Sequence, residues 1–201
     1  DIANSTPTPT QALAIDLNKN TFGLAPINPQ MPLPSSIANG STTSITLQLK
    51  VDSNRATPDN VSGTVQAAVK NMATGEVCYF HLPVSVEALF ISGAPPDPSQ
   101  YATSWRNLGE ELEVSQVLSN VPTADISAVK AKLDAQAVSF VAERQIPGTD
   151  QTAVYFGIRL ANGGSFLLEV KFKAGANLLK VTVKSPSKEQ SEIVKTAVSK
   201  I

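Results

Sequence analysis

The chain has 201 residues, of which 42% are hydrophobic and 16% are charged, so it carries enough apolar material for a sizeable core. Its 16 basic and 17 acidic residues give a net charge of −1. That balance excludes nucleic-acid binding by bulk positive charge and gives no support to a polybasic membrane surface. No apolar run approaches the roughly 20 residues that cross a bilayer, and residues 1–10 lack the apolar stretch of a signal peptide. The sequence therefore predicts an intracellular protein that does not insert into a membrane.

The chain has few residues of the types that commonly carry catalysis, because it contains one histidine, His81, and one cysteine, Cys78. A lone cysteine forms no internal disulfide, and the two residues provide neither a histidine-based nor a multi-thiolate metal site. A hydrolase would have to use His81, which lies in a strand-like run without a companion motif, so a structural histidine is the better interpretation. We predict that the protein is not an enzyme and needs no cofactor or metal.

The first half of the chain shows the period of two that is typical of half-buried strands. Residues 1–11 are mostly polar, with two prolines, and predict a loop or tail. The clearest strand alternates apolar and polar side chains from Ile45 to Asp52. Further strands are predicted at Leu13–Leu17, Val65–Lys70, Val77–Phe80 and Val84–Ile91. Residues 12–93 therefore predict a β-sandwich subdomain.

The composition changes at Ser92–Pro98, which is rich in Gly and Pro, and this predicts a subdomain boundary near Gly93. Apolar spacing and a capping box predict three helices, which are Ser99–Leu108, a segment around Ile126–Leu133 and one that begins at Ser187. Four alternating strands are predicted between the second and third helices, at 137–144, 153–161, 165–173 and 177–184. Residues 94–201 therefore predict an α+β subdomain with helices packed on a sheet.

Two of these strands have one apolar and one mixed face, and Asn162-Gly163-Gly164 between them predicts a hairpin turn. The apolar faces are Val154, Phe156, Ile158 and Leu160 in one strand and Phe166, Leu168, Val170 and Phe172 in the next. The outward residues are then Tyr155, Arg159, Leu167, Glu169 and Lys171. A rigid aromatic among charges fits a peptide-binding surface, although the pattern alone favours an ordinary solvated sheet face.

The aromatic residues outside these two strands also fit either a binding site or an ordinary structural position. Trp105, the only tryptophan, follows Tyr101 by one helical turn, a spacing more often found in a core than in a binding site. Tyr79, beside Cys78 in a β run, fits a rim position of the sandwich.

Several short stretches, taken in their order and spacing, resemble the β-adaptin appendage, the C-terminal ear of the large β subunit of clathrin adaptor complexes. These stretches are Leu13–Ile15, Asn18–Leu24, Gln66–Asn71, Tyr79–Phe80, Ala88–Phe90, Ala102–Asn107, Val141–Arg144, Tyr155 and Leu160–Gly163. The resemblance runs from about residue 4 to the C-terminus.

The resemblance implies an immunoglobulin-like β-sandwich followed by an α+β platform, which agrees with the fold predicted from the pattern. It implies a module that binds short linear motifs of endocytic accessory proteins and cargo adaptors, contacts clathrin, and serves vesicle coat assembly and protein transport. It also implies a cytoplasmic protein, peripheral on clathrin-coated vesicles, coated pits or trans-Golgi membranes. In the family about two early sandwich strands precede the matching region, so either those strands lie outside this sequence or this sandwich is smaller. The resemblance also implies that an N-terminal part of the subunit joins the other adaptor subunits.

The family's platform site carries over to six positions of this chain. They are Trp105, Arg106, Glu113, Arg144, Tyr155 and Glu169. Arg106 stands where lysine is usual, and an upstream arginine of the family falls on Pro98. Simple alternation along 137–144 predicts that Arg144 points inward, against the carry-over. An amphipathic helical peptide is expected there, with acidic residues near Arg106 and basic ones near Glu113 or Glu169.

A second site of the family lies on the sandwich and carries over to Gln66, Lys70 and Tyr79. A further glutamine of that site falls on Asp16, whose carboxylate accepts hydrogen bonds but donates none. This change argues against a preference for acidic ligands at the sandwich site.

One alternative from another class is a secreted or cell-surface β-sandwich binding module. Its support is three Asn-x-Ser/Thr triplets, which start at Asn4, Asn39 and Asn60. Such triplets are common by chance, and glycan mass on the native protein would distinguish this module from the adaptor appendage.

Overall fold

The computed structural model describes residues 1–28, 33–52, 54–57, 61, 64–119, 121, 125–173 and 175–200. They form two compact units: unit 1 lies within Asp1–Thr57 and Gly63–Val84, and unit 2 within Pro58–Ser62 and Ser85–Ile201. Residues 85–92 thus belong to unit 2 here, while the subdomain boundary near Gly93 stays a prediction. In the described part of the chain, no helix has both the length and the apolar character needed to span a bilayer.

Unit 1 is built of short antiparallel strands. They are β1 (Ile2–Ala3), β2 (Thr10–Gln11), β3 (Leu13–Asn18), β4 (Leu24–Pro26), β5 (Ser36–Ile37), β6 (Thr42–Thr43), β7 (Leu49–Val51), β8 (Thr64–Asn71) and β9 (Val77–Pro83). The largest sheet has the order β3-β8-β9, while β1 pairs with β6, β2 with β5 and β4 with β7. Leu17, Phe22 and Val65 are among the buried core residues of the unit.

The alternating run 45–52 is only partly a regular strand. Its apolar residues are less exposed than the polar ones between them, as the period of two predicts. Ladder pairing is limited to Leu49–Val51, because β4 has three residues and offers partners for no more. The burial pattern was therefore predicted better than the length of the strand.

The segment 1–11, predicted as a loop or tail, contains β1 and β2 and is held by a buried polar side chain. Asn4 is buried, and its side-chain amide donates to the carbonyl oxygens of Thr8 and Ile37, at 2.9 Å each. These hydrogen bonds satisfy a buried amide in a segment with little apolar content. The buried amide also makes Asn4 a poor glycan acceptor in the folded chain, while Asn60 lies outside the described residues.

The strand predicted at Val84–Ile91 is wrong, because Val86–Leu89 forms a 3₁₀ helix. Val86, Leu89 and Phe90 are all buried, and their spacing of three and four residues is that of one helix side. A short apolar run does not distinguish this arrangement from a buried strand.

Among its described residues, unit 2 contains three α-helices and one five-stranded antiparallel sheet. The helices are α1 (Pro98–Asn107), α2 (Ile126–Ala135) and α3 (Lys188–Val198), and the strands are β10 (Glu113–Ser119), β11 (Ser139–Gln145), β12 (Gln151–Arg159), β13 (Ser165–Lys173) and β14 (Leu178–Lys184). The sheet order is β10-β14-β13-β12-β11. The three predicted helices and four predicted strands are confirmed, whereas β10 was missed.

Side-chain caps explain where the helices begin. The Asp97 carboxylate accepts from the backbone N–H groups of Ser99 and Gln100 at 2.8 and 3.2 Å, and Pro98 occupies the first turn. Asp125 caps α2 in the same way, and the Ser187 hydroxyl accepts from the N–H of Gln190 at the start of α3.

The inward faces of β12 and β13 are buried as the alternation predicted, and with α2 and α3 they form the core of unit 2. Phe156, Leu168 and Val170 are at most 1% exposed. The Asn162-Gly163-Gly164 hairpin also forms, and Gly163 has a φ of 104°, which favours glycine.

Candidate functional site

The outward side of the sheet, here called the site face, is the side that carries Tyr155 and Glu169. Tyr155 of β12 pairs directly with Glu169 of β13, which pairs with Thr182 of β14. Helix α1 lies over this face, because the Tyr101 hydroxyl donates to the Leu168 carbonyl oxygen at 2.8 Å. The mixed face predicted from the sequence is therefore partly covered by a helix.

Three aromatic rings join α1 to the sheet. Tyr101 stacks on Trp105 with ring centroids 5.9 Å apart and an interplanar angle of 17°. Tyr101 also meets Tyr155 edge-on, with centroids 5.5 Å apart. Offset stacking and edge-on contact are the arrangements that aromatic rings prefer, so the three rings support one another.

These rings border a concavity of about 650 Å³, here called the platform groove. It is lined by Trp105 and Arg106 of α1, Ala142 and Arg144 of β11, Tyr155 of β12, and Glu169 and Lys171 of β13. Trp105 and Tyr155 are both partly exposed to it. Trp105 therefore presents its ring to an open groove, which does not fit the interpretation of this residue as ordinary core.

Five of the six predicted platform residues line this groove, whereas the sixth, Glu113, is not among its lining residues. Both predicted carboxylates are already ion-paired: Glu169 with Lys171 at 3.0 Å and Glu113 with Lys184 at 2.9 Å. Glu169 is only 7% exposed. A basic ligand group near either carboxylate would have to compete with a lysine of the chain itself.

Lys184 is 3% exposed and organises the end of α1. Its ammonium donates to the carbonyl oxygens of Leu108 and Trp105, at 2.9 and 3.3 Å. The same ammonium lies 4.9 Å from the centroid of the Trp105 ring. It thus satisfies C-terminal carbonyls of the helix and supports the tryptophan from the protein side.

The two arginines of the groove lack such partners. Neither Arg106 nor Arg144 forms an ion pair with a carboxylate among the described residues. The Arg106 Nε donates to the Ala102 carbonyl oxygen at 3.1 Å, and the Arg144 guanidinium lies 5.9 Å from the Tyr155 ring centroid. The uncompensated charge of the groove is therefore positive, which suits acidic ligand groups.

The inward position predicted for Arg144 is wrong, and a β-bulge is the reason. Phe140 pairs with Phe156 on the core side, but the next pair joins Ala142 to Tyr155, so Val141 is an extra residue. One extra residue moves all that follow to the other face. Arg144, opposite Ala153, consequently lies on the site face.

Burial raises the pKa of the Tyr155 phenol, and the negative charge of Glu169 raises it further. The same two causes, in the same order, raise the pKa of the Tyr101 phenol. Both phenols therefore stay protonated at neutral pH, and Tyr101 can hold its hydrogen bond to β13 over the whole physiological range.

The predicted residues of the sandwich site share one face of a sheet. Gln66, Lys70 and Tyr79 lie on one side of the β3-β8-β9 sheet, because Tyr79 pairs with Ala68 and Gln66 with His81. Tyr79 is 59% exposed, and Asp16 of β3 also pairs with Ala68, so Asp16 lies on the same face of the sheet. A concavity of about 350 Å³ in unit 1 is lined by Asp16 and by none of these three residues.

The sequence reasoning missed Tyr101 and Lys184 as parts of the platform site, whereas it placed Lys171 on the mixed outward face without assigning it to the site. A signal existed for Tyr101, which precedes Trp105 by one helical turn. The alternation of β14 also placed Lys184 on the site face, opposite Leu167. What the alternation did not show is that α1 covers this end of the face.

The family comparison matches the half of the chain that carries this groove. The model of the C-terminal subdomain of the β2-adaptin appendage matches residues 92–201. This chain belongs to the β2-adaptin appendage family. The resemblance and the fold class predicted from the sequence are thereby confirmed.

Relatives of the appendage chain extend the similarity over most of its length. The AP-1 complex subunit β-1 of Mus musculus is 28% identical over 189 residues, which is 94% of this chain and 19% of the relative. The same subunit is 26% identical in Rattus norvegicus, over 89% of this chain and 18% of the relative. In Homo sapiens it is 27% identical, over 81% and 16%. The chain thus spans less than a fifth of the length of these relatives.

Proposed function

We propose that this appendage chain is a protein-binding module, not an enzyme, and that its platform groove holds an amphipathic helical peptide. The observation that carries the proposal is the groove of about 650 Å³, bordered by stacked rings and by two arginines without carboxylate partners. A helix whose apolar residues recur at i, i+4 and i+7 presents one apolar stripe to such a groove. Its acidic residues meet Arg106 and Arg144.

The partners that fit this chemistry are endocytic accessory proteins and cargo adaptors with short motifs, and clathrin. Membership of the appendage family supports this assignment, as does the similarity to a subunit of the AP-1 complex. The chain would act on the cytoplasmic side of coated membranes, as part of a longer adaptor subunit that engages the other subunits of the complex.

The exposed face of Gln66, Lys70 and Tyr79 is proposed as a second, independent peptide site. Its support is that the three side chains share one face of one sheet, with a rigid aromatic ring exposed. The half-buried Gln66 side chain accepts a hydrogen bond from the Asn18 amide at 3.2 Å.

The test is calorimetric titration of a synthetic helical peptide into wild-type protein, Trp105→Ala and Tyr79→Ala. Truncation of a buried tryptophan anchor commonly costs about 2 kcal/mol or more, so Trp105→Ala should weaken binding by roughly 30-fold. Tyr79→Ala is the matched control and should leave the affinity for this peptide unchanged. Recovery of clathrin from cytosol, measured by immunoblot, tests the second site in the same two variants.

Unchanged affinity in a folded Trp105→Ala variant would overturn the groove assignment. If both substitutions instead weaken binding of the same ligands to the same degree while the protein stays folded, the two surfaces are not independent sites.

A further inference from the structure

The site face continues beyond the platform groove onto a surface that is basic and apolar at once. Lys171 of β13 pairs with Lys180 of β14, which pairs with Val117 of the edge strand β10. Lys173 and Leu178 follow on the same face of their strands. These five residues are here called the basic strip.

The positive charges of the strip are only partly compensated by carboxylates of the chain. Lys171 and Lys180 are directly opposite across two neighbouring strands, an arrangement of like charges that destabilises a sheet. Lys171 has Glu169 as a partner on the groove side. For Lys173 and Lys180, the described residues supply no carboxylate within ion-pair distance. An anionic partner would remove the repulsion that the sheet otherwise retains.

Apolar side chains lie beside these lysines in an open hollow. Val117 is 63% exposed and Leu178 is 40% exposed. Together with Lys171, Lys173 and Lys180 they line a hollow of about 170 Å³, which matches one apolar side chain better than a whole helix. Lys171 lines both this hollow and the platform groove, so the two surfaces are continuous.

We propose that the basic strip binds an acidic segment with one apolar side chain, continuing from the helical peptide held in the platform groove. The inference rests on the proposed function of the groove and adds a second contact to the same ligand. The carboxylates of the segment meet Lys173 and Lys180, and its apolar side chain enters the hollow between Val117 and Leu178. A protein segment satisfies both features, since it places carboxylates and an apolar group within a few residues.

The experiment compares synthetic peptides by calorimetric titration at low salt. The core peptide is the helical one, and two extended peptides carry Glu-Asp-Leu-Glu-Asp at the amino or the carboxyl end. Two control peptides carry the uncharged extension Gln-Asn-Leu-Gln-Asn, one at the amino end and one at the carboxyl end. Exposed charge pairs are each worth little in water, so two or three of them predict that one acidic extension tightens binding roughly 3- to 10-fold, which corresponds to about 0.7–1.4 kcal/mol. The uncharged extension should add little, and the gain should shrink as salt rises.

The double variant Lys173→Glu/Lys180→Glu should lose this gain and bind the core peptide as the wild type does. The matched control Lys132→Glu/Lys188→Glu changes two exposed lysines at the helices α2 and α3, away from the site face, and should keep the gain. A basic Lys-Arg-Leu-Lys-Arg extension should regain affinity for the Lys173→Glu/Lys180→Glu variant, which shows that charge and not folding is responsible.

Equal gains from the acidic and the uncharged extension, or a gain that survives the double charge reversal, would overturn the proposal. A second result would also overturn the proposal: neither acidic extension tightens binding, while the wild-type protein binds vesicles that contain anionic lipid and the double variant does not. The strip would then face a membrane. If no core peptide binds at all, the groove proposal fails separately. The strip is then tested with the free acidic pentapeptide, which must shift the backbone amide signals of Val117 and Lys180 in heteronuclear spectra.

Discussion

The platform groove and the open face of unit 1 carry similar residue types but differ in how the side chains are held. In the groove, Tyr101 hydrogen-bonds to β13 and stacks on Trp105, so the tryptophan ring is positioned before any ligand arrives. On unit 1, Tyr79 is 59% exposed, and no aromatic ring among the described residues stacks on it. A preorganised groove loses less side-chain entropy on binding, so we expect it to be the stronger site.

The two surfaces differ in their charges as well. The two carboxylates of the predicted platform site, Glu169 and Glu113, are ion-paired with Lys171 and Lys184. In unit 1, Lys70 is exposed and forms no ion pair within the described part of the chain. Substitution of a charged residue at the platform site should therefore change the stability of the fold, whereas substitution of Lys70 on unit 1 should change only ligand binding.

The largest effect on stability is expected for Lys184→Ala. Lys184 is almost fully buried, pairs with Glu113 and donates to two carbonyl oxygens at the end of α1, so its loss leaves several polar groups unsatisfied. Removal of one partner of a buried pair commonly costs 3–5 kcal/mol, and because Glu113 keeps some access to water we expect about 3 kcal/mol.

The free energy of unfolding of Lys184→Ala would be measured by urea denaturation followed by circular dichroism. Lys70→Ala is the control and should stay within about 0.5 kcal/mol of the wild type, because its side chain is exposed. Equal stability of the two variants would mean that water, and not Lys184, compensates the charge of the Glu113 carboxylate.

A second contrast is between the tyrosines of the groove and Tyr79. In a Tyr79→Phe variant the remaining tyrosines are Tyr101 and Tyr155, whose pKa values are both raised, first by burial and then by the charge of Glu169. Tyrosinate absorbance of this variant should therefore rise only above the ordinary value of about 10. An early rise in the folded variant would show that water reaches the groove phenols.

The same pKa shifts set the direction of the pH dependence of stability. A phenol whose pKa is higher in the folded than in the unfolded chain keeps its proton longer in the folded state. Its contribution to stability is fully present below the unfolded value of about 10 and is lost as the pH rises toward the folded pKa. The Tyr79→Phe variant should show this alkaline loss of stability as the wild type does.

Part of this architecture was predictable because helices and strands each give the sequence a characteristic period of apolar residues. The faces of β12 and β13 follow from strict alternation, and α1 follows from Asp97 and Pro98 at its start. β10 was missed because Val117 lies on the outward face and Gln116 on the inward face, which blurs its alternation.

The part that was not predictable depends on single residues and on packing between distant elements. Nothing in the local pattern around Val141 indicates a bulge, yet that one residue decides which face Arg144 occupies. The burial of Lys184 likewise requires α1 to lie over β14, some 79 positions away in sequence. The six platform positions came from family resemblance, and their role in binding stays a proposal.

The smallest expected effect concerns Arg144 and tests the bulge directly. Arg144 is exposed at the rim of the groove, near the Tyr155 ring, so Arg144→Gln removes a charge without opening a cavity. Rim charges affect association more than the final affinity, and we expect a loss of roughly 2- to 4-fold in affinity for an acidic helical peptide at low salt. The loss should vanish at about 1 M salt, where the screening length is about 3 Å.

Lys132→Gln, an exposed cation of α2, is the control and should change nothing. If strand β11 instead followed simple alternation, Arg144 would lie on the core side, and Arg144→Gln would change the free energy of unfolding while leaving the salt dependence of binding intact.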